Sequence, residues 1–117
     1  MATVFVVNKS SHDFTAAEQF GRLRYLSEGI ESRYAVSKIY RMFAMSLRHS
    51  SPDDYILITG LTTMNVVACS CFSFIHGRLN LLLYKNDKYI EKKIILSELL
   101  SKGGNITKQI SDMGEEV

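Results

Sequence analysis

Apolar residues run almost unbroken through Thr3-Val4-Phe5-Val6-Val7 and again through Tyr55-Ile56-Leu57-Ile58, and both runs end in polar residues. Short, β-branched runs of this kind predict strands covered on both faces. The first is left by a polar loop over residues 8–13. The second is left by Thr59-Gly60-Leu61-Thr62-Thr63-Met64-Asn65, which turns at the glycine and opens a helix over about residues 62–74. That helix is apolar around most of its circumference and ends at His76-Gly77, so it is expected inside the fold or against a second subunit. The remaining elements are expected to be arranged around this strand, turn and helix.

Thr15-Ala16-Ala17-Glu18 has the spacing of a capping box and predicts a short helix that Gly21 closes. Residues 22–26 alternate polar and apolar, which suits a short half-buried strand, the favoured reading, or the tail of a helix. Ser32 is placed to cap a long helix reaching about His49, because Val36, Ile39, Tyr40, Phe43 and Leu47 recur at three- and four-residue spacings. Ser50-Ser51-Pro52 stops it. Residues 79–84 and 89–96 flank Lys85-Asn86-Asp87-Lys88 as a β-hairpin. Past Leu100 the composition shifts to Ser, Gly, Lys and Asn, which predicts a mobile tail over residues 101–117 with a short helix around 106–113. The expected fold is α/β: one domain over residues 1–100, a single mixed sheet of four or five strands packed by two or three helices, and a C-terminal β-hairpin.

Composition narrows the function more than the fold. A chain of 117 residues with one proline accommodates one core and no separate catalytic domain. A net charge of +2 is too small for binding that leans on many phosphate contacts, so nucleic acid is not an expected partner. Cys69 and Cys71 stand two apart on the central helix and diverge, and no second Cys or His pair offers metal-ligand spacing. No metal and no cofactor are expected. No apolar run is long enough to span a bilayer and no secretory leader is visible, which predicts a soluble cytoplasmic protein.

Candidate chemistry gathers on the two loops that leave strand ends, the edge where open α/β sheets bind ligands. Together they offer Asn8, Lys9, Ser11 and His12 from the first, with Thr59, Gly60, Thr62, Thr63 and Asn65 from the second. If the two strands are parallel neighbours, the loops meet. Charge, hydroxyls and amides around a helix N-terminus suit a phosphate-bearing ligand. A plainer account makes Thr62 or Thr63 the N-cap and Asn65 a loop tie. His12 beside Asp13 is the one general-base candidate, and no nucleophile is marked by motif, so no catalytic residue is assigned unless His12 serves. Arg33, Arg41 and Arg48 fall nearly in line on the long helix, and Arg78 follows the central one; each is a candidate contact to an anion or a partner, or part of a solvated face.

The order of strand, Gly60, Thr63, Asn65, helix and hairpin resembles the small viral ring nucleases, the type III anti-CRISPR family that binds and cleaves cyclic oligoadenylates. Residues 4–8 are similar to that family's first strand, and Gly60-Leu61-Thr62-Thr63-Met64-Asn65 to its Gly-His-Asp-Ser-Thr-Ile-Asn segment. Leu61 stands where the family carries its catalytic His, so the resemblance implies a pocket that holds a nucleotide signal without cutting it. The chain also looks like many uncharacterised phage proteins. The resulting expectation is a homo-oligomeric anti-defence protein that sequesters a cyclic-nucleotide or ADP-ribose-like molecule. Its rivals are an interaction module that inhibits or scaffolds a host enzyme through the arginine face, and a phosphodiesterase using His12.

Overall fold

The computed structural model describes residues 1–29, 34–96 and 98. Its elements are β1 (Thr3–Val6), a 3-10 turn (Thr15–Gln19), β2 (Arg22–Tyr25), α1 (Val36–Leu47), β3 (Tyr55–Leu57), α2 (Thr62–His76), β4 (Arg78–Lys85) and β5 (Lys88–Ile95). The strands form one five-stranded sheet in the order β2-β1-β3-β4-β5. β1 pairs in parallel with both β2 and β3, β3 pairs in parallel with β4, and β5 closes the edge antiparallel to β4. The expected α/β class, mixed sheet and C-terminal hairpin are all present.

The connections run outward from β1 in both directions. The 3-10 turn carries the chain one way to β2, and α1 and α2 carry it the other way to β3 and β4. Crossovers of one hand that run in opposite directions must lie on opposite faces of a sheet. The core divides accordingly. Phe5, Val7, Ile56 and Leu79 pack under Ile39, Phe43 and Leu47 of α1 and Met64, Val67, Ala68 and Phe72 of α2. Val4, Val6, Leu57, Leu82 and Tyr89 face the other way, against Phe14 and Ala17. This is why β1 reads as an unbroken apolar run: it is flanked by strands on both sides and covered on both faces.

Local details depart from the sequence pattern where side chains found other partners. Thr15 does not cap; Asp13 Oδ1 instead accepts from the Thr15 backbone N–H and hydroxyl, and the segment winds as a 3-10 turn with no side-chain cap. Gly21 sits just past the turn, where a Cβ would stand 2.2 Å from the Ala2 carbonyl oxygen. Arg22 N–H donates to that same oxygen. Gly21→Ala should therefore cost about 1–3 kcal/mol in chemical denaturation, since the obstacle is backbone and cannot rotate aside.

α1 begins at Val36 behind Ala35, with no side-chain cap. Ser32 and Arg33 lie outside the described residues. The helix buries Ile39, Phe43 and Leu47, one stripe at four-residue spacing, while Val36 and Tyr40 turn out of it and are exposed. α2 ends at His76 and closes on Gly77 in the left-handed region, at the stop that His76-Gly77 predicts. The hairpin turns on Asn86 and Asp87, both at positive φ, a conformation these two residues tolerate better than most. Lys88, Lys92 and Lys93 on the edge strand β5 discourage pairing with another sheet. The expected tail over residues 101–117, with its short helix, lies outside the described residues.

Candidate functional site

The chain leaves β1 toward β2 and leaves β3 toward β4, so the connections part to opposite sides while the loops at the carboxyl ends of these two neighbours line a shared crevice. A crevice at such a reversal of strand order is where ligands of open α/β sheets are held. Here it is a partly open cavity of about 320 Å³. Ser10, His12 and Phe14 come from the β1 loop, Ile58, Thr59 and Gly60 from the β3 loop, and Tyr84 and Tyr89 from the hairpin.

One wall is aromatic. The His12 ring meets Phe14 and Tyr84 edge-on at centroid distances of 4.9 and 4.8 Å, and Tyr84 lies 5.1 Å from Tyr89. His12 Nε2 and Tyr89 Oη share a hydrogen bond of 3.2 Å. Burial raises the Tyr89 phenol above its ordinary value. The Tyr84 phenol is raised as well, chiefly by its hydrogen bond to Asp87, so both rings stay neutral at physiological pH. Tyr84 and Tyr89 are directly opposite across the hairpin, so one cross-strand pair supplies half of this wall.

The opposite side is polar backbone. Asn65 Oδ1 accepts from the Thr59 N–H at 3.1 Å and its Nδ2 donates to the Thr59 carbonyl at 2.7 Å. That pair of bonds holds the β3 loop in shape and commits the Asn65 amide. Nothing stands within 4 Å of the position a Cβ would take on Gly60. Beyond it, Gly60, Leu61, Thr62 and Thr63 line a second recess of about 160 Å³ at the start of α2. The N-cap is Leu61, not Thr62 or Thr63, and no side chain caps the helix. The first amides of α2 thus keep their capacity to meet an anion. Thr59 Oγ1 is buried and has no hydrogen-bond partner among the described residues. Thr59→Val is therefore expected to leave the free protein as stable or slightly more so in thermal melts, because a lone buried hydroxyl carries a desolvation cost of about 1–3 kcal/mol.

The other candidates are distributed differently. Asn8 is buried and its Oδ1 lies 2.8 Å from Ser27 Oγ, on the β1–β2 side. Lys9 projects over the Tyr25 ring at 5.2 Å. Ser11 is exposed and its neighbour Ser10 lines the cavity instead. Asp13 gives His12 no hydrogen bond: its carboxylate is held by Thr15, first through the hydroxyl and then through the backbone, which lowers its pKa. Arg41 on α1 and Arg48 just past its end are exposed. Arg78 stands at the start of β4, at the far edge of the sheet from the cavity, and donates to Asn80 Oδ1 at 3.1 Å. Sequence reading passed over Ser10, Phe14, Ile58, Tyr84 and Tyr89. A two-residue turn at Asn86-Asp87 does set Tyr84 against Tyr89, but not which face of the sheet they occupy.

Residues 2–96 match the family described as phage Pam3 gp32-like protein. The chain belongs to this phage protein family. The match supports a phage origin and lends nothing to the ring-nuclease resemblance. No curated protein and no solved structure matches the chain. Among the described residues no helix is long and apolar enough to cross a membrane, and no three His, Cys, Asp or Glu side chains converge as metal ligands.

Proposed function

We propose that this phage protein binds a nucleotide-derived small molecule in the crevice between β1 and β3 and acts by withholding it from a host defence system. The observation that carries the reading is an aromatic wall and the unpartnered Thr59 hydroxyl in one cavity, adjoined at Gly60 by the recess at the uncapped start of α2. An aromatic base suits the ring wall of His12, Phe14 and Tyr84. A phosphate suits the backbone amides at Gly60 to Thr63. Holding is favoured over cutting because His12 shares its hydrogen bond with Tyr89, Asp13 is occupied by Thr15, and neither Ser10 nor Thr59 is hydrogen-bonded to a side-chain base.

The test is native mass spectrometry of protein released gently from cells, then thermal shift against cyclic dinucleotides, cyclic oligoadenylates and ADP-ribose derivatives. A ligand released with unchanged mass, and a melting temperature that rises with its concentration, support the reading. Protein that carries nothing and shifts with none of them removes it. Product of altered mass moves the assignment to a phosphodiesterase.

A further inference from the structure

A further concavity lies on the helix face of the molecule, away from the ligand crevice. Val36, Tyr40 and Ala44 of α1 and Val66, Cys71 and Phe74 of α2 are among the residues lining an apolar groove of about 430 Å³. Phe74 is 93% exposed and Val66 60%, so large apolar side chains are gathered along one groove and not scattered.

Charge at this groove has one sign. No acidic side chain lines it, and neither α1 nor α2 contains an Asp or Glu. Val36, Tyr40 and Ala44 form one row at four-residue spacing, and Arg48, whose backbone is still helical, is the next position in that row. Its side chain is exposed and has no hydrogen bond or ion pair among the described residues. The two helices also run in the same direction. Each connects parallel neighbours of the sheet, and Ser50, just past α1, shares a hydrogen bond of 2.7 Å with His76, the last residue of α2. Phe74 and Arg48 therefore stand at the same end of the groove, where both helices finish.

These features describe an occupant. An apolar trough between two helices takes the apolar face of a third. Two parallel dipoles favour a third helix that runs antiparallel to them, which brings its first turn to the Phe74 end. Acidic residues stabilise a helix's first turn, and in this position they also meet Arg48. We propose that the α1–α2 groove docks an amphipathic helix of another protein, antiparallel to α1 and α2, with its apolar face on Tyr40, Val66 and Phe74 and its acidic first turn at Arg48. A second copy of this chain is the poorer match. A two-fold axis would set Arg48 against Arg48 if the helices ran parallel, or against the positive N-termini of the partner's helices if they ran antiparallel. A bilayer surface is flat and leaves the groove unfilled. The inference stands apart from the ligand crevice and does not depend on it.

The test is fluorescence anisotropy of the full chain with two labelled synthetic peptides, each an amphipathic helix of about four turns with leucines at three- and four-residue spacing. One carries its glutamates in the first turn, and the other carries the same glutamates in the last. The first should bind several-fold more tightly and lose affinity as salt rises. Arg48→Glu should weaken that peptide several-fold and favour a version with lysines in place of the glutamates, which separates docking charge from the peptides' own helicity. Phe74→Asp, at an exposed position, should abolish binding of every peptide. Binding of neither glutamate peptide, or affinities that Arg48→Glu leaves unchanged, overturns the proposal. So does a concentration-dependent dimer in sedimentation that Phe74→Asp abolishes, which assigns the groove to a second copy. Co-flotation with vesicles of phosphatidylglycerol and phosphatidylcholine, lost in Phe74→Asp, assigns it to a membrane surface and overturns the proposal as well.

Discussion

Phe72→Ala should be the most damaging single truncation on the helix face, lowering the free energy of unfolding by about 3–5 kcal/mol. The Phe72 ring is fully buried between α1, α2 and the sheet, and its neighbour His76 lies 4.5 Å away, centroid to centroid. Removing it withdraws apolar area from the centre of the helix layer and leaves a cavity that flanking backbone cannot collapse into. A domain of this size has only about 5–15 kcal/mol to lose, so the variant should melt well below the parent and be partly unfolded in moderate urea. Met45→Ala is the matched control: Met45 is 70% exposed on α1, and its truncation should stay within about 0.5 kcal/mol. Equal losses in the two variants would show that α2 does not pack against the sheet as described.

Tyr84→Ala should weaken binding of a nucleotide-type ligand by about tenfold or more, the usual worth of one aromatic platform under a base. Tyr84 is well suited to show this cleanly. Its ring is about half exposed and lies over the cavity, so truncation removes contact area for a ligand while taking little from the core. It also holds His12 edge-on, so the loss includes some freedom regained by the imidazole. Calorimetric titration against the ligand identified by mass spectrometry measures the effect. Stability should change far less than in Phe72→Ala. An affinity unchanged by Tyr84→Ala, in a protein that still binds, would move the ligand out of the aromatic crevice and toward the recess at Gly60 to Thr63.

The candidate site was legible in part, and the division has a physical basis. The two strand-end loops announce themselves because buried strands are apolar and the loops that leave them are not. The register Val6 opposite Leu57 makes the two strands parallel neighbours, so the loops converge. What each side chain does within those loops follows from competition among close partners. Asn65 turns back onto Thr59, Asn8 meets Ser27, and Asp13 captures Thr15. Each is a short polar side chain able to bond either backbone or ligand, and its sequence neighbours do not say which.

The sequence by itself determined the elements, the α/β class and the hairpin, because periodicity, glycine and proline placement and a two-residue turn act over a few residues and need no distant partner. Only the tertiary structure decided that α2 has a buried side and an exposed one, since a helix apolar all round carries no mark of the face it will bury. It alone brought Tyr84 and Tyr89, more than 70 residues from His12, to the crevice between β1 and β3. Strand order governs that meeting, and strand order is set by which hydrophobic faces bury one another once all five strands are assembled, a global energy that no local stretch of residues encodes.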